Sequence, residues 1–258
     1  MSLNNDEKAP LLDHLIELRN RLMISVLAIL IGFLICYGFS EEIYLFLLRP
    51  LREVMGPNAK MIYTGLAEAF FTYMKVAFFA ALFLALPVVL SQIWQFVAPG
   101  LYQHEKRAFL PFLILAPLLF FVGGGIAYAF VFPMAFKFFL SFANESIEAQ
   151  LKLNEYLSLV ITMIFAFGLA FELPVVLILL IKARILSVAT LLSKRRYNIV
   201  LTFIVAAILT PPDPISQIMM AIPLLLLYEI SIFIGRKVEH NRDLRENDPD
   251  SLSITEEL

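Results

Sequence analysis

The sequence predicts an all-α, polytopic membrane protein whose six transmembrane helices are kinked and form a curved, concave bundle. Three observations carry that expectation. The 258 residues are 60% hydrophobic and only 16% charged, with a mean hydropathy of +0.82, which no soluble domain of this size needs. Apolar runs recur at Leu22 to Phe39, Phe70 to Val97, Phe109 to Phe132, Leu157 to Ile181, Ile199 to Thr210 and Ile215 to Ile234. Prolines fall inside or beside these runs at Pro87, Pro117, Pro133, Pro174 and Pro223. Each removes a backbone hydrogen bond, so each is a candidate bend that neighbouring helices must support, although any one alone is ordinary in a membrane helix. The chain divides into residues 1–21, a cytoplasmic tail with an amphipathic segment; 22–234, the membrane domain; and 235–258, a charged tail expected to be disordered from Glu239 onward.

In chain order, a polar, acidic start shows no mark of a cleavable signal peptide, and the first apolar run is long enough to stay as a span. Pro10 suits a first helical position, and Leu11, Leu15, Leu18 and Leu22 keep one apolar stripe. Asp13, Glu17, Asn20 and Arg21 share the opposite face, where Glu17 and Arg21 can pair at i, i+4. This segment is expected to lie along the membrane surface before the chain turns in. Arg19 projects toward the apolar stripe, so it must snorkel or find a carboxylate outside its own helix.

Lys and Arg set the orientation. Six spans put both termini on one side, together with Lys106, Arg107, Lys182, Arg184, Lys194, Arg195 and Arg196, and the positive-inside rule makes that side cytoplasmic. Segments Ser40 to Ala69 and Pro133 to Tyr156 then face outward, and apolar patches such as Ile43 to Leu48 suggest folded caps. Gly123-Gly-Gly125 permits close helix approach near Tyr128, a weak signal by itself.

The stretch Phe96-Val-Ala-Pro-Gly-Leu-Tyr-Gln-His-Glu-Lys-Arg107 is a polar island between two spans. Its Glu105 is placed to receive a guanidinium group, yet a carboxylate in the first turn of the next helix is also favoured by the helix dipole. Glu172 lies mid-span in Ala166-Phe-Gly-Leu-Ala-Phe-Glu-Leu-Pro174, where a charge costs about 2.5 to 3.5 kcal/mol on insertion scales. It should therefore face a wet cavity or stay protonated against a polar neighbour. Glu229, near the cytoplasmic end of its span, reads as structural. The run Ile199 to Thr210 covers only about 18 Å, and the turn Pro211-Pro-Asp-Pro214 enforces an antiparallel hairpin with the last span. The bilayer beside it must thin, or the pair must sit at an offset depth. Thr210 and Gln217 could bond a partner helix or bond within the hairpin.

A net charge of −2 argues against a nucleic-acid surface, and the single Cys36 leaves no internal disulfide and argues against a thiolate metal site. His14, His104 and His240 fall outside the spans, and no glycine-rich phosphate loop, HExxH or CxxC occurs, so neither enzyme chemistry nor a metal or cofactor is expected. A proton-coupled secondary transporter using Glu172 is the alternative, although the two halves show no evident repeat.

The segments His14-Leu-Ile-Glu-Leu-Arg-Asn-Arg21, Phe96 to Arg107, Tyr128 with Phe132-Pro133, Ala166 to Pro174, Leu209-Thr-Pro-Pro-Asp213 with Ser216-Gln217, and Ala221 to Glu229 together resemble the TatC family, the six-span receptor of the twin-arginine protein translocase. The likeness runs from about Pro10 to Ile234, in order and with family spacing. It implies a receptor in the cytoplasmic (inner) membrane that binds twin-arginine signal peptides of folded precursors and associates with TatA, TatB and further copies of itself. It implies transport driven by the proton-motive force, with no ATP site. Glu17 and Glu105 would then hold the two arginines, because neighbouring side chains diverge in an extended chain and need separate acceptors. Arg19 and Phe96 would shape that surface. Glu172 would be the polar residue of the concave wall, Thr210 and Gln217 the docking place of the single-span partners, and Pro50, Tyr128 and Asp213 further family positions. Gly100 stands where relatives often have alanine, which implies a more flexible loop.

Overall fold

The computed structural model describes residues 8–56, 61–97, 106–142, 150–210 and 213–246. Helix α1, Lys8–Gly38, is continuous over 31 residues, or about 46 Å. This corrects the expectation of a surface helix that turns into a separate span. From Leu11 to Ile31 the chain has neither proline nor glycine, so nothing interrupts the i→i−4 ladder. Most of the large side chains of α1 are exposed, Leu34 at 74%, which suits lipid and would be a liability in water.

Five helical stretches among the described residues are long and apolar enough to cross a bilayer: His14–Gly38, Glu68–Phe96, Phe112–Leu140, Leu153–Lys182 and Pro214–Arg242. The chain is thus a multi-pass membrane protein. The remaining apolar run lies in helix α9, Arg195–Leu209. It starts four residues before the run itself and reaches 15 residues, about 22 Å, still short of a hydrocarbon core of roughly 30 Å.

The chain forms two compact units, residues 1–118 with 128–162 and residues 119–127 with 163–258. In the first, α1 packs along α3, Glu68–Val97. A side chain at Gly32 would come within 3.3 Å of the Ala81 carbonyl oxygen, and Cys36, Ala77 and Ala81 are buried together there. Small residues let the two backbones approach, and dispersion follows.

After α1 comes an amphipathic helix, α2, Ser40–Met55, which buries Leu47, Leu48, Pro50 and Leu51. Glu41 and Glu42 in its first turn and Arg52 in its last complement the helix dipole, and Gly56, at φ +87°, ends it. Strand β1, Met61–Ile62, pairs in parallel with β2, Leu151–Lys152, in the register Met61↔Leu151 and Ile62↔Lys152. The two segments expected to form caps are therefore folded and tied to each other.

Pro133 and Pro174 each disturb a long helix. Helix α4, Lys106–Ile126, passes through a π-helical turn, Ala127–Val131, into α5, Phe132–Leu140. Widening the turn ahead of Pro133 accommodates its missing N–H and its clash with the carbonyl of Ala129. Helix α6, Leu153–Phe171, is separated from α7, Leu173–Lys182, at Glu172, whose N–H tightens onto the Leu169 carbonyl 3.1 Å away. By contrast, α3 and the last helix run through Pro87 and Pro223 without interruption.

The second unit is closely packed. A Cβ at Gly123 would lie 2.6 Å from the Phe167 carbonyl oxygen and 2.8 Å from the Phe171 ring, and one at Gly168 would lie 2.7 Å from the Phe120 ring. Helix α8, Val188–Ser193, and α10, Pro214–Glu246, complete this unit with α7 and α9. Ile181, Val188, Leu191, Tyr228 and Ile232 form its buried cluster, with the Tyr228 hydroxyl donating to the Leu191 carbonyl at 2.8 Å. Helix α10 continues well past Ile234 to Glu246, so residues 239–246, where disorder was expected, are helical. The Glu239 carboxylate accepts the Val188 N–H at 2.9 Å and so caps α8. Residues 247–258 lie outside the described part.

Candidate functional site

Of the expected peptide site, Glu17 and Arg19 on α1 and Phe96 on α3 are among the described residues. Glu17, on α1, accepts two hydrogen bonds on Oε1 from the Arg21 guanidinium, 3.0 Å from Nε and 2.6 Å from Nη2. The i, i+4 spacing puts them on one helix face, as the sequence indicates. Arg21 Nη1 then donates to Gln95 Oε1 on α3 at 2.9 Å, so one cation bridges two helices. His14 Nδ1 is 4.0 Å from Glu17 Oε2, and the His14 ring stacks on Phe96 with centroids 4.3 Å apart and planes 17° apart. Glu17 and Phe96 therefore share one surface through His14. An open groove of about 460 Å³ beside the Glu17 carboxylate is lined by Ile16, Asn20, Arg21, Ile24, Gln92 and Gln95.

Arg19 is exposed and donates to Asn20 Oδ1 at 3.2 and 3.4 Å. Of the two expectations for Arg19, snorkelling or a carboxylate outside its helix, no such carboxylate is paired with it among the described residues, and the exposed guanidinium keeps a neighbouring amide. Glu105 lies outside the described residues, as do Gly100, His104 and the turn prolines Pro211 and Pro212.

Among the other candidates, Pro50 and Tyr128 are brought together. Pro50 cannot donate to the carbonyl of Phe46 four residues back, and the Tyr128 hydroxyl donates to that oxygen instead, at 2.7 Å. The Tyr128 ring stacks on Phe46 with centroids 4.6 Å apart, and the Arg49 guanidinium lies over the Phe46 ring, 5.6 Å from its centroid. Asp213 is buried and caps α10 by accepting the Ser216 N–H on Oδ1 at 2.7 Å, ahead of Pro214 at the first helical position. Asp213 Oδ2 and Ser216 Oγ have no hydrogen-bond partner among the described residues.

Glu172 is 9% exposed, at the α6/α7 break, and its Oε1 is buried without a hydrogen-bond partner among the described residues. Thr210 donates to the Ala206 carbonyl at 2.9 Å, and Gln217 Nε2 donates to the Phe203 carbonyl at 3.2 Å. Of the two alternatives for these residues, bonds within the hairpin are the ones present. Sequence reasoning missed Gln92 and Gln95. Their position on the face turned toward Arg21 depends on the phase of α3 against α1, which no local pattern encodes.

Five long apolar helices among the described residues define a multi-pass membrane protein. Comparison with known proteins gives the class a family. The family described as "TatC: Sec-independent protein translocase protein (TatC)" matches residues 13–223. A protein named Sec-independent protein translocase protein TatC from Magnetococcus marinus is 64% identical over 94% of this chain and 89% of its own length. The protein of the same name from Escherichia coli K12 is 41% identical over 90% of both. A crystal structure titled as the twin arginine translocase receptor TatC superposes with a TM-score of 0.75 at 42% identity, covering 88% of this chain and 99% of that one. The chain belongs to the TatC family and is a protein translocase component.

Proposed function

We propose that this chain is the receptor subunit of a twin-arginine translocase, with Glu17 and Glu105 as the acceptors of the two arginines of a signal peptide. The observation that carries this reading is Glu17, whose carboxylate already holds a guanidinium through two short bonds and which lines an open groove. Phe96, stacked on His14, gives the neighbouring apolar wall for the residues that follow the arginines. Arg19 contributes positive potential at the rim. In this reading the chain lies in the inner membrane with both termini in the cytoplasm, serves export driven by the proton-motive force, and works with TatA, TatB and further copies of itself. Family membership sets aside transport of a small solute. Glu172 then serves as a polar feature of the translocation wall.

Photo-crosslinking from positions 17 and 105 to a twin-arginine peptide tests the receptor reading. Both positions are expected to crosslink, and an Arg-to-Lys peptide change is expected to matter less in Glu105→Gln than in the wild type. Additive effects in that cycle would remove Glu105 from direct contact.

The hairpin is the proposed docking place of the single-span partners. Gln217 keeps its carbonyl oxygen for a partner, and α9 is short enough to thin the adjacent bilayer, which suits a partner of similarly short span. Inserting about one helical turn of leucine after Ile204 is expected to leave peptide binding intact and abolish export and crosslinking at Thr210 and Gln217. Normal export by the lengthened variant would rule out thinning.

A further inference from the structure

The bond network at Glu17 leaves a question of exchange. The acceptor proposed for an incoming arginine is not empty, because Arg21 occupies Oε1 with two N–H groups and is pinned by a third bond to Gln95 across the helix pair. The Arg21 side chain is only 20% exposed, so this is a held guanidinium rather than a fluctuating surface cation. A peptide guanidinium that spreads its fork over both carboxylate oxygens meets Arg21 on Oε1, where their like charges repel. A peptide arginine must therefore compete with Arg21 for Glu17.

We infer that Arg21 is an internal occupant of the Glu17 site, held in place by Gln95, whose displacement lowers the affinity for an arginine of the bound peptide. The inference rests on the receptor reading of Glu17. Exchanging one guanidinium for another keeps the number and geometry of the bonds on the carboxylate, so it costs little. Exchanging guanidinium for an ammonium loses the planar fork, whereas the cost of displacing Arg21 falls on either cation and lowers affinity without adding to the preference between them. The displaced Arg21 has somewhere to go. Gln92 lines the same groove, makes no hydrogen bond to another described residue, and offers a carbonyl acceptor to the released guanidinium. The resting state is then held by Gln95, and the released state is received by Gln92.

The test is the affinity of the full-length protein, in lipid nanodiscs, for a fluorescent peptide with paired arginines and for its paired-lysine version. Arg21→Lys keeps the charge and removes the fork. It is expected to bind the arginine peptide about three- to tenfold more tightly, without narrowing the arginine-to-lysine preference. Gln95→Ala, which touches only the pin, is expected to tighten the arginine peptide by about twofold. Gln92→Leu is expected to weaken the arginine peptide. Unchanged affinity for the arginine peptide in Arg21→Lys would mean that Arg21 acts only as a charge, and reduced affinity in both Arg21→Lys and Gln95→Ala would mean that it merely positions Glu17. Either result overturns the inference. Glu17→Gln, measured in parallel, separates the two readings. If it leaves binding unchanged the receptor role of Glu17 fails, whereas if it weakens binding while the Arg21 and Gln95 variants do nothing, only the inference on Arg21 fails.

Discussion

The cap and the α4/α6 contact are held together by opposite means. In the cap, phenol hydroxyls reach across the chain to helix carbonyls: Tyr128 to Phe46 at 2.7 Å and Tyr156 to Leu47 at 2.8 Å. Lys75 adds bonds to Ser158 at 2.6 Å and Asn154 at 3.2 Å. Between α4 and α6 the glycines at 123 and 168 admit the rings of Phe171 and Phe120, and fit alone does the holding. The difference follows from what each region has to satisfy. Pro50 leaves a carbonyl without its helical donor, so the cap needs a polar answer. Helices in hydrocarbon have every backbone group bonded already and gain little from apolar burial against one another, so close approach through small residues supplies the attraction.

If that contrast is right, the largest loss of stability comes from a single methyl group in the glycine contact. Gly123→Ala sets a Cβ against a backbone oxygen that cannot rotate away, and it is expected to destabilise the folded protein by about 2–3 kcal/mol. Gly168→Ala meets the far end of the Phe120 ring, which can shift, so a smaller loss of about 1–2 kcal/mol is expected. Gly125, two residues from Gly123, has nothing within 4 Å of its Cβ position, and Gly125→Ala is expected to be neutral or to raise the melting temperature. Equal effects at 123 and 125, read by thermal unfolding in detergent, would show that glycine matters there for the helix rather than for the contact.

Next in size is the cap. Tyr156 is 4% exposed, and Tyr156→Phe removes its hydroxyl from the Leu47 carbonyl at an expected cost of about 1–2 kcal/mol. Tyr128→Phe is expected to cost about 1 kcal/mol, and here the cause can be isolated. In a Pro50→Ala background residue 50 regains an N–H for the Phe46 carbonyl, so the Tyr128→Phe cost should shrink toward zero. An undiminished cost in that background would place the value of Tyr128 in its stacking on Phe46 instead.

The parts of this molecule that the sequence makes legible are those with a local cause. Apolar length gives the spans, the i, i+4 spacing gives the Glu17–Arg21 pair, and the Gly123 region announces close approach. What stays hidden depends on distant partners. Strands of two residues have no period to read, and β1 pairs with a segment about 90 positions away. The π-turn before Pro133 and the break before Pro174 are two answers to the same local problem, so proline alone does not choose between them. Residues 235–246 look like a charged tail by composition, yet Glu239 is fixed by the α8 N-terminus far upstream. For the site the same division holds: Glu17 is legible on its own helix, whereas Gln95 and Gln92 enter only through the packing of α3 on α1.

The smallest effect is expected where a polar tie lies neither in the cap nor in the close-packed core. Arg195, at the start of α9, pairs with Glu229 on α10, and their side chains remain 47% and 51% exposed. The bond joins the hairpin at the end opposite its Pro-rich turn, so it looks like a staple in the manner of the cap tyrosines. Its surroundings differ in the respect that matters, because water and counterions reach both partners and compensate either one when the other is lost. Glu229→Gln is therefore expected to cost about 0–1 kcal/mol at low salt and to become indistinguishable from the wild type in about 0.5 M salt, where screening is nearly complete. The Tyr156→Phe cost should not respond to salt, since no charge is involved. A salt-independent loss above about 2 kcal/mol in Glu229→Gln would mean that this pair is desolvated by lipid or by a partner in the membrane. The division between polar ties that hold and polar ties that do not would then follow burial in the assembly rather than burial in the single chain.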